Sequence, residues 1–384
     1  MQIEKNMDCQ ARTRLSYLFD DGKYTEINSY AKENDCLTGV VTAYGYVNGN
    51  AVYAFSQDKS INNGAVGPAH AAKIAKLYSL AAKTGTPVIG IHDSNGAFVN
   101  GTAESLTAYG ELINAASVIS GVVPQISVVA GTCAGSAALF ACSSDFIIMT
   151  KDAEFFMTPA FTKENSGSAS DAAANGIAAA VCDDDKAAIE KAKELINLMP
   201  VNNLAPLPMF EYNEPETAVS TDFNSLINGV CDAESIIELY AEFGKASYTA
   251  LATVNGATVG IAATNKTSDK LTDADCSKLS RFIRTCDAFA VPVITFVDTE
   301  GFDAADAIKS MTQLANCYAE ATTAKISVIT GKAVGPAFIA LAGKDISSDF
   351  TYIWESACVS PLAPLSAVEF LWHDKLKGAA DVNA

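Results

Sequence analysis

Two short stretches carry the chemistry this sequence can offer: GTCAGSAALF at 131–140 and GKAVGPAFIA at 331–340. In each, an apolar run of strand type passes through a glycine-containing turn into a small-residue helix. A helix start leaves backbone N–H groups without partners, and the helix dipole adds positive charge there. Such a turn can receive an oxygen that gains negative charge during a reaction. Small residues after a strand also let a helix pack closely, which is the competing reading for a single turn. Two matching turns favour the chemical one. The second turn differs in one respect: Pro336 has no amide hydrogen to offer.

Other chemistries find little support. There is no GxGxxG and no GxxxxGK[ST], and GxSxG is absent from both turns, so dinucleotide, P-loop and nucleophile-elbow readings fall away. The three histidines, His70, His92 and His373, lie far apart in sequence, and the ten cysteines include no CxxC pair. No metal site is expected, and the cysteines read as buried free thiols. A formal charge of −18 argues against a nucleic-acid backbone or an anionic membrane as the main partner. The N-terminal MQIEKNMDCQARTRL is polar where a signal peptide needs an apolar core, and no run reaches the roughly 18 apolar residues that cross a bilayer. A cytoplasmic location is the expectation.

The elements that must position the turns are written twice. VNGNAVYAF from Val47 matches VNGATVGIA from Val254; PVIGIHDSNGAF from Pro87 matches PVITFVDTEGFD from Pro292; ISVVAGTCAGSAALF from Ile126 matches ISVITGKAVGPAF from Ile326. A shift of 205 takes Lys73 to Lys278, Asp93 to Asp298 and Gly96 to Gly301. Each unit reads as a hairpin over VNG, a helix, a buried strand ending in Asp, a second helix, and a strand entering the glycine turn. PVIGI, ISVVAG, VITFV and ISVIT are short and rich in β-branched residues, as parallel strands covered on both faces require. Asp93 and Asp298 end their strands and are read as capping the adjoining turns. His70, near a helix start, is read as capping or packing.

DDDKAAIEKAKELINLM has acids in its first turn, Ile189, Ala192, Ile196 and Met199 on one face, and a stop at Pro200. The proline-rich segment after it reads as a linker. The expected organisation is therefore a first domain over 1–200, a linker over 201–222 and a second domain over 223–384, in line with the chain length.

The wording of these segments resembles a family. ARTRLSYLFDDGKYTEI at 11–27, INNGAVGPAHAAKI at 61–74, DSNGA at 93–97, SGVVPQISVVAGTCAGSA at 120–137, LINLMPVNN at 195–203, RFIRTCDAFAVPVITFVDTEGF at 281–302 and ATTAKISVITGKAVGPAF at 321–338 follow one another. Their order is that of the biotin-dependent acyl-CoA carboxyltransferases. That family includes propionyl-CoA carboxylase β subunits and the carboxyltransferase subunits of methylmalonyl- and glutaconyl-CoA decarboxylases. The bacterial acetyl-CoA carboxylase type with a separate zinc-ribbon subunit is a worse match, because here both halves are fused and paired cysteines are lacking.

The resemblance implies an α/β fold of two tandem crotonase-like ββα spiral domains. It implies an enzyme that moves a carboxyl group between the α-carbon of an acyl-CoA and biotin on a separate carrier protein. The N-terminal half would hold the acyl-CoA thioester oxygen, through the amides of Gly135 and Ser136. The C-terminal half would hold the ureido oxygen of biotin at the turn after Gly335, where Pro336 and Ala337 stand in place of the family's Gly-Ala. Candidate substrate-binding positions are Gly64, Gly67, Asn95, Gly96, Ala97, Phe98, Gly301, Phe302, Pro336, Phe338 and Ile339. Implied partners are a biotin carboxyl carrier protein, a biotin carboxylase or membrane decarboxylase subunit, and further copies of the chain or of a paralogue. The resemblance further implies a single site that takes one half from each of two subunits, so a dimer would be the minimum and a hexamer would fit.

The sequence departs from the family at Phe98, where Arg is usual, at Asn100 and Gly101, at Glu300, which replaces a proline, at Pro336, and in a shortened stretch after 157–167. Two other readings stay open. A non-catalytic subunit that pairs with an active relative is favoured by Pro336 and Phe98. A crotonase-like hydrolase or isomerase would use the first turn alone.

Overall fold

A computed structural model of the chain describes residues 9–33, 36–158, 167–303, 307–344 and 346–373. Two compact units emerge, Met1–Phe210 with Leu239–Phe243 and Glu211–Glu238 with Gly244–Ala384. The boundary at 210/211 falls inside the segment read as a linker. Residues 239–243 are grouped with the first unit, where the Tyr240 N–H donates to Ala179 O at 2.8 Å. No sequence signal marked that return.

In the first unit, strands Val40–Val47 and Asn50–Gln57 pair antiparallel around Asn48-Gly49, whose φ values of 49° and 76° suit the Asn-Gly hairpin turn. Asn50–Gln57 then runs parallel to Val88–Ser94, which runs parallel to Gln125–Ala134, which runs parallel to Phe146–Thr150. Helices Pro68–Thr84 and Thr102–Val118 make the crossovers. The first begins at a proline, where a missing N–H costs nothing, and stops at Gly85, whose φ of 62° a glycine takes without strain. Every residue of Val88–Ser94 is buried, as expected for a strand covered on both faces. Phe55, Ile74, Leu77, Leu112, Val129 and Phe140 pack into the core between sheet and helices. Beyond Phe146–Thr150 a further parallel strand, Ala180–Cys182, and helix Asp185–Leu198 complete the unit. Asp184 caps that helix by accepting from the Ala187 N–H at 2.8 Å, and Ile189, Ala192 and Ile196 face inward.

The second unit repeats the plan. Tyr248–Val254 and Ala257–Ala263 form a hairpin over Asn255-Gly256 (φ 52° and 76°), continued in parallel by Val293–Thr299, Lys325–Val334 and Phe350–Ile353. Helix Asp273–Ala288 opens with a capping box between Thr272 and Asp275, and helix Ile308–Glu320 makes the next crossover. Phe350–Ile353 ends its sheet path, and Phe350, Tyr352 and Ile353 are exposed. Its counterpart Phe146–Thr150 is buried throughout.

Both units share one irregularity. His92 pairs with Val129 and Ser94 with Cys133, so two steps on one strand face four on the other; Val297/Ile329 and Thr299/Ala333 do the same. The long strand thus bulges opposite Asp93 in one unit and Asp298 in the other. A bulge bends its strand and re-aims the residues beyond it.

The cysteine expectation holds in part. All ten are free, but only Cys9, Cys133, Cys231, Cys276, Cys286 and Cys317 are buried; Cys36, Cys142 and Cys358 are exposed. Among the described residues no helix is long and apolar enough to cross a membrane.

His70 and His92 are both packed away, each 1% exposed, in the first unit. The Gln57 amide, whose Oε1 accepts from the Asp93 N–H, turns its Nε2 toward His70 Nε2 at 3.4 Å, which makes the imidazole the acceptor. Burial pushes both histidines down to about 3, with the Lys73 charge adding to the effect at His70. The unfolded chain therefore binds more protons than the folded one between pH 6.5 and 3, and stability falls as pH drops through that window. We expect each histidine to cost roughly 2 kcal/mol between pH 7 and pH 5. Urea titrations at the two pH values check this; equal midpoints would contradict it.

Candidate active site

The long parallel strand of the first unit, Gln125–Ala134, ends at Gly135, and helix Ser136–Ala141 starts at once. Gly135 has φ 59° and ψ −123°, a region open to glycine and strained for any other residue. Its own N–H donates to Phe156 O at 2.8 Å, the carbonyl coming from the short strand Glu154–Phe156 laid beside Ala134. The reading of the Gly135 amide as a donor to substrate is thereby corrected: that hydrogen is taken, and the residue contributes its conformation. The Ser136 N–H, next along, has no partner among the described residues, and Ser136 is only half-buried. Ala137 behind it is buried. The turn therefore presents one accessible main-chain donor at a helix start, at the carboxyl end of the parallel strands where α/β sheets place ligands.

The second turn reproduces this backbone. Gly335 has φ 53° and ψ −128°, and its N–H donates to Ser360 O at 2.8 Å, from the short strand Cys358–Ser360 beside Val334. Gly335 is thus also no donor to substrate. Pro336 occupies the first position of helix Pro336–Ala342, exposed, and Ala337 comes next with an N–H that has no partner among the described residues. Where the first turn offers Ser136, the second offers nothing, and Ala337, itself fully buried, holds the remaining hydrogen.

Several predicted neighbours gather at the first turn. A Cβ on Gly96 would sit 2.7 Å from Ala134 O, and one on Gly64 would sit 2.1 Å from Asp93 O, so both glycines let backbone approach the strand ends. The Asn95 N–H donates to Asn63 O, and Val66 is bridged to Ala97 and accepts from the Phe98 N–H at 3.0 Å. Asn95 is exposed, while Ala97 and Phe98 are half-buried. Gly67 stands apart: a Cβ there would meet the Glu33 carboxylate at 2.4 Å. Glu33 accepts from the Ala69 and His70 N–H groups at 3.3 and 3.2 Å and so occupies this helix start itself. Gly67 is accordingly a position that admits a capping side chain, which corrects its reading as a substrate contact.

In the second unit Gly301 (φ 121°) and Phe302 pair with Lys270 and Leu271. The Gly301 N–H donates to the Thr299 hydroxyl at 3.1 Å, as Gly96 does to Ser94 at 3.1 Å. Phe338 is half-buried and Ile339 is 52% exposed. Glu300, the residue in place of the family's proline, pairs with Lys332 at 2.5 Å; each holds the other's charge, the carboxyl below its ordinary range and the ammonium above. Residues 159–166 lie outside those described; directly after 157–167, where the shortening is read, Ser168 caps the short helix Ala169–Ala174 by accepting from the Asp171 N–H at 3.1 Å.

Sequence reasoning missed what anchors the turns, namely Arg14, the two bulges and the strands Glu154–Phe156 and Cys358–Ser360, and it missed Glu33 at the start of helix Pro68–Thr84. EFF and CVS share no pattern that could have paired them.

Against known proteins, the carboxyl transferase domain family matches residues 7–383. Methylmalonyl-CoA decarboxylase subunit alpha of Propionigenium modestum is 34% identical over 97% of this chain and 81% of its own. The mitochondrial propionyl-CoA carboxylase beta chain of Rattus norvegicus is 33% identical over 97% and 77%. Among solved structures, transcarboxylase 12S, crystallised as a hexamer with methylmalonyl-coenzyme A and methylmalonic acid bound, matches with a TM-score of 0.90 and 30% identity, covering 97% of this chain and 80% of that one. The expected α/β crotonase-like architecture is the one these similarities carry.

Proposed function

Because the chain belongs to the carboxyl transferase domain family, we propose how its two turns divide a carboxyl transfer between an acyl-CoA and biotin. The chain is an enzyme of the propionyl-CoA carboxylase and methylmalonyl-CoA decarboxylase type. In our reading the first unit takes the acyl-CoA and the second takes biotin. Removing the carboxyl group from the α-carbon leaves an enolate, and adding one consumes the enolate formed when the α-carbon gives up a proton; in both directions the charge rests on the thioester oxygen. The Ser136 N–H, fixed at a helix start, stabilises that oxygen more strongly as its charge grows. The Ala337 N–H does the same for the ureido oxygen; biotin supplies the nitrogen that accepts or releases the carboxyl group. No side chain acts as a covalent nucleophile.

The observation that carries this reading is the unpartnered Ser136 N–H beside a glycine in the conformation that aims it. Short acyl-CoAs of the methylmalonyl type are the proposed substrates, since transcarboxylase 12S binds methylmalonyl-CoA. A biotin-carrying protein, a cytoplasmic location and assembly as a dimer or hexamer, with biotin carboxylase or a membrane decarboxylase subunit as further partner, belong to the same proposal. Pro336 favours a second reading, a subunit silent on the biotin side that pairs with an active relative. The purified chain is to be given malonyl-, methylmalonyl- or glutaconyl-CoA with free biotin while CO₂ is monitored. Biotin-dependent release supports the first reading. Free CoA or an isomerised acyl-CoA formed without biotin points to a hydrolase or isomerase, and no turnover at all to the silent subunit.

A further inference from the structure

The bulges opposite Asp93 and Asp298 leave main-chain groups of the long strands without ladder partners, and side chains take them up. In the first unit the Asp93 carboxylate accepts from the Thr132 N–H at 3.2 Å, and Arg14 donates to Ala130 O at 2.9 Å and to Asp93 at 3.1 Å. Arg14 and Asp93 are 2% and 3% exposed. Gly131 makes room for them: a Cβ there would lie 2.3 Å from the Asp93 oxygen. In the second unit Asp298 accepts from the Lys332 N–H at 2.7 Å and from the Asn265 amide at 2.7 Å, and a Cβ on Gly331 would lie 2.3 Å from its oxygen. Three residues past each latched N–H comes the glycine whose amide is tied to the neighbouring short strand, and one further on the free or missing donor.

We propose that Asp93, with Arg14, is the positioning residue of the first turn and Asp298 that of the second, each carboxylate fixing the bulge and through it the direction of the next helix-start N–H. Neither residue itself touches substrate. The strand is pinned at two places, the carboxylate before the turn and the Phe156 or Ser360 carbonyl at it. Releasing the first lets the donor swing by a fraction of an ångström. That is enough to matter in a mechanism where the single remaining helix-start donor of each turn, Ser136 or the buried Ala337, must meet an oxygen at hydrogen-bond distance. The two latches differ in chemistry: a buried guanidinium answers Asp93, and a neutral amide answers Asp298.

The catalytic role of the latches rests on the carboxyl-transfer reading, so the test uses two readouts. Asp93→Asn and Asp298→Asn are prepared in the full chain, each serving as the other's control. Amide hydrogen exchange is measured in peptides spanning 130–138 and 330–338. Exchange should quicken about ten-fold or more at the first turn in Asp93→Asn and at the second in Asp298→Asn, with the other turn unmoved. In the assay kcat should fall about ten- to hundred-fold while the dissociation constant for acyl-CoA moves less than about three-fold. Asp298→Asn takes no carboxylate from a buried guanidinium, whereas Asp93→Asn leaves Arg14 with Asp185 as its carboxylate partner, so Asp298→Asn keeps the test open if Asp93→Asn fails to fold. Unchanged exchange at the matching turn overturns the latch. So does faster exchange with an unchanged kcat, or a kcat loss that merely tracks thermal stability in both variants. If the wild-type chain transfers no carboxyl group, the function reading falls on that result, and the exchange pattern still decides the latch.

Discussion

Ser136→Pro should cost the enzyme about a hundred- to thousand-fold in kcat with the fold intact, the range for deleting one oxyanion donor. The molecule itself contains the control. Proline already stands at the same helix position in the second turn, preceded by a glycine at φ 53° and ψ −128°, against 59° and −123° in the first. The preceding residue is thus already in a geometry that a proline after it tolerates, and a first helical position loses no internal hydrogen bond to proline. Ser136→Ala keeps the N–H and removes only the hydroxyl. The proline deficit should exceed the alanine deficit by the stated factor, measured as CO₂ release with saturating acyl-CoA. Equal deficits would mean that the hydroxyl, or nothing at this position, contributes.

The converse substitution should be a gain. Pro336→Ala returns an N–H to the second turn at the place where the first has Ser136, and the biotin-dependent rate should rise by up to about a hundred-fold. Pro336 is exposed, so no packing is disturbed. The cost is a looser unfolded chain, about 0.4–1 kcal/mol of stability. A faster but slightly less heat-resistant enzyme is the expected phenotype. An unchanged rate would mean that Ala337 alone serves the ureido oxygen, or that the second turn is not used.

These two variants concern groups that the sequence could and could not disclose. The duplication, the parallel strands and both turns were legible because they depend on local rules: β-branched runs for strands covered on two faces, Asn-Gly for hairpins, helix starts after glycine. That a proline sits where an amide is wanted was legible too, since proline's defect is intrinsic. The fate of the Gly135 amide was not. It depends on Phe156, 21 residues away on a three-residue strand whose letters signal nothing. Arg14 reaching Asp93 across 79 positions is equally silent, because a long-range ion pair leaves no periodicity. Gly67 misled for a related reason: a glycine before a helix admits a bound anion and a neighbouring carboxylate equally well, and here Glu33 takes the place.

The sheet of the second unit stops at Phe350–Ile353, a margin of aromatic and aliphatic side chains with no strand laid along it among the described residues. In the first unit the same margin is closed by Ala180–Cys182 and the helix behind it. An open margin of this kind templates the addition of any extended chain, whereas 18 surplus negative charges keep like molecules apart. Colloidal behaviour in concentrated brine and in dilute buffer is therefore set by different features of one polypeptide, stickiness by three exposed side chains of a single strand and dispersal by the charge of the whole.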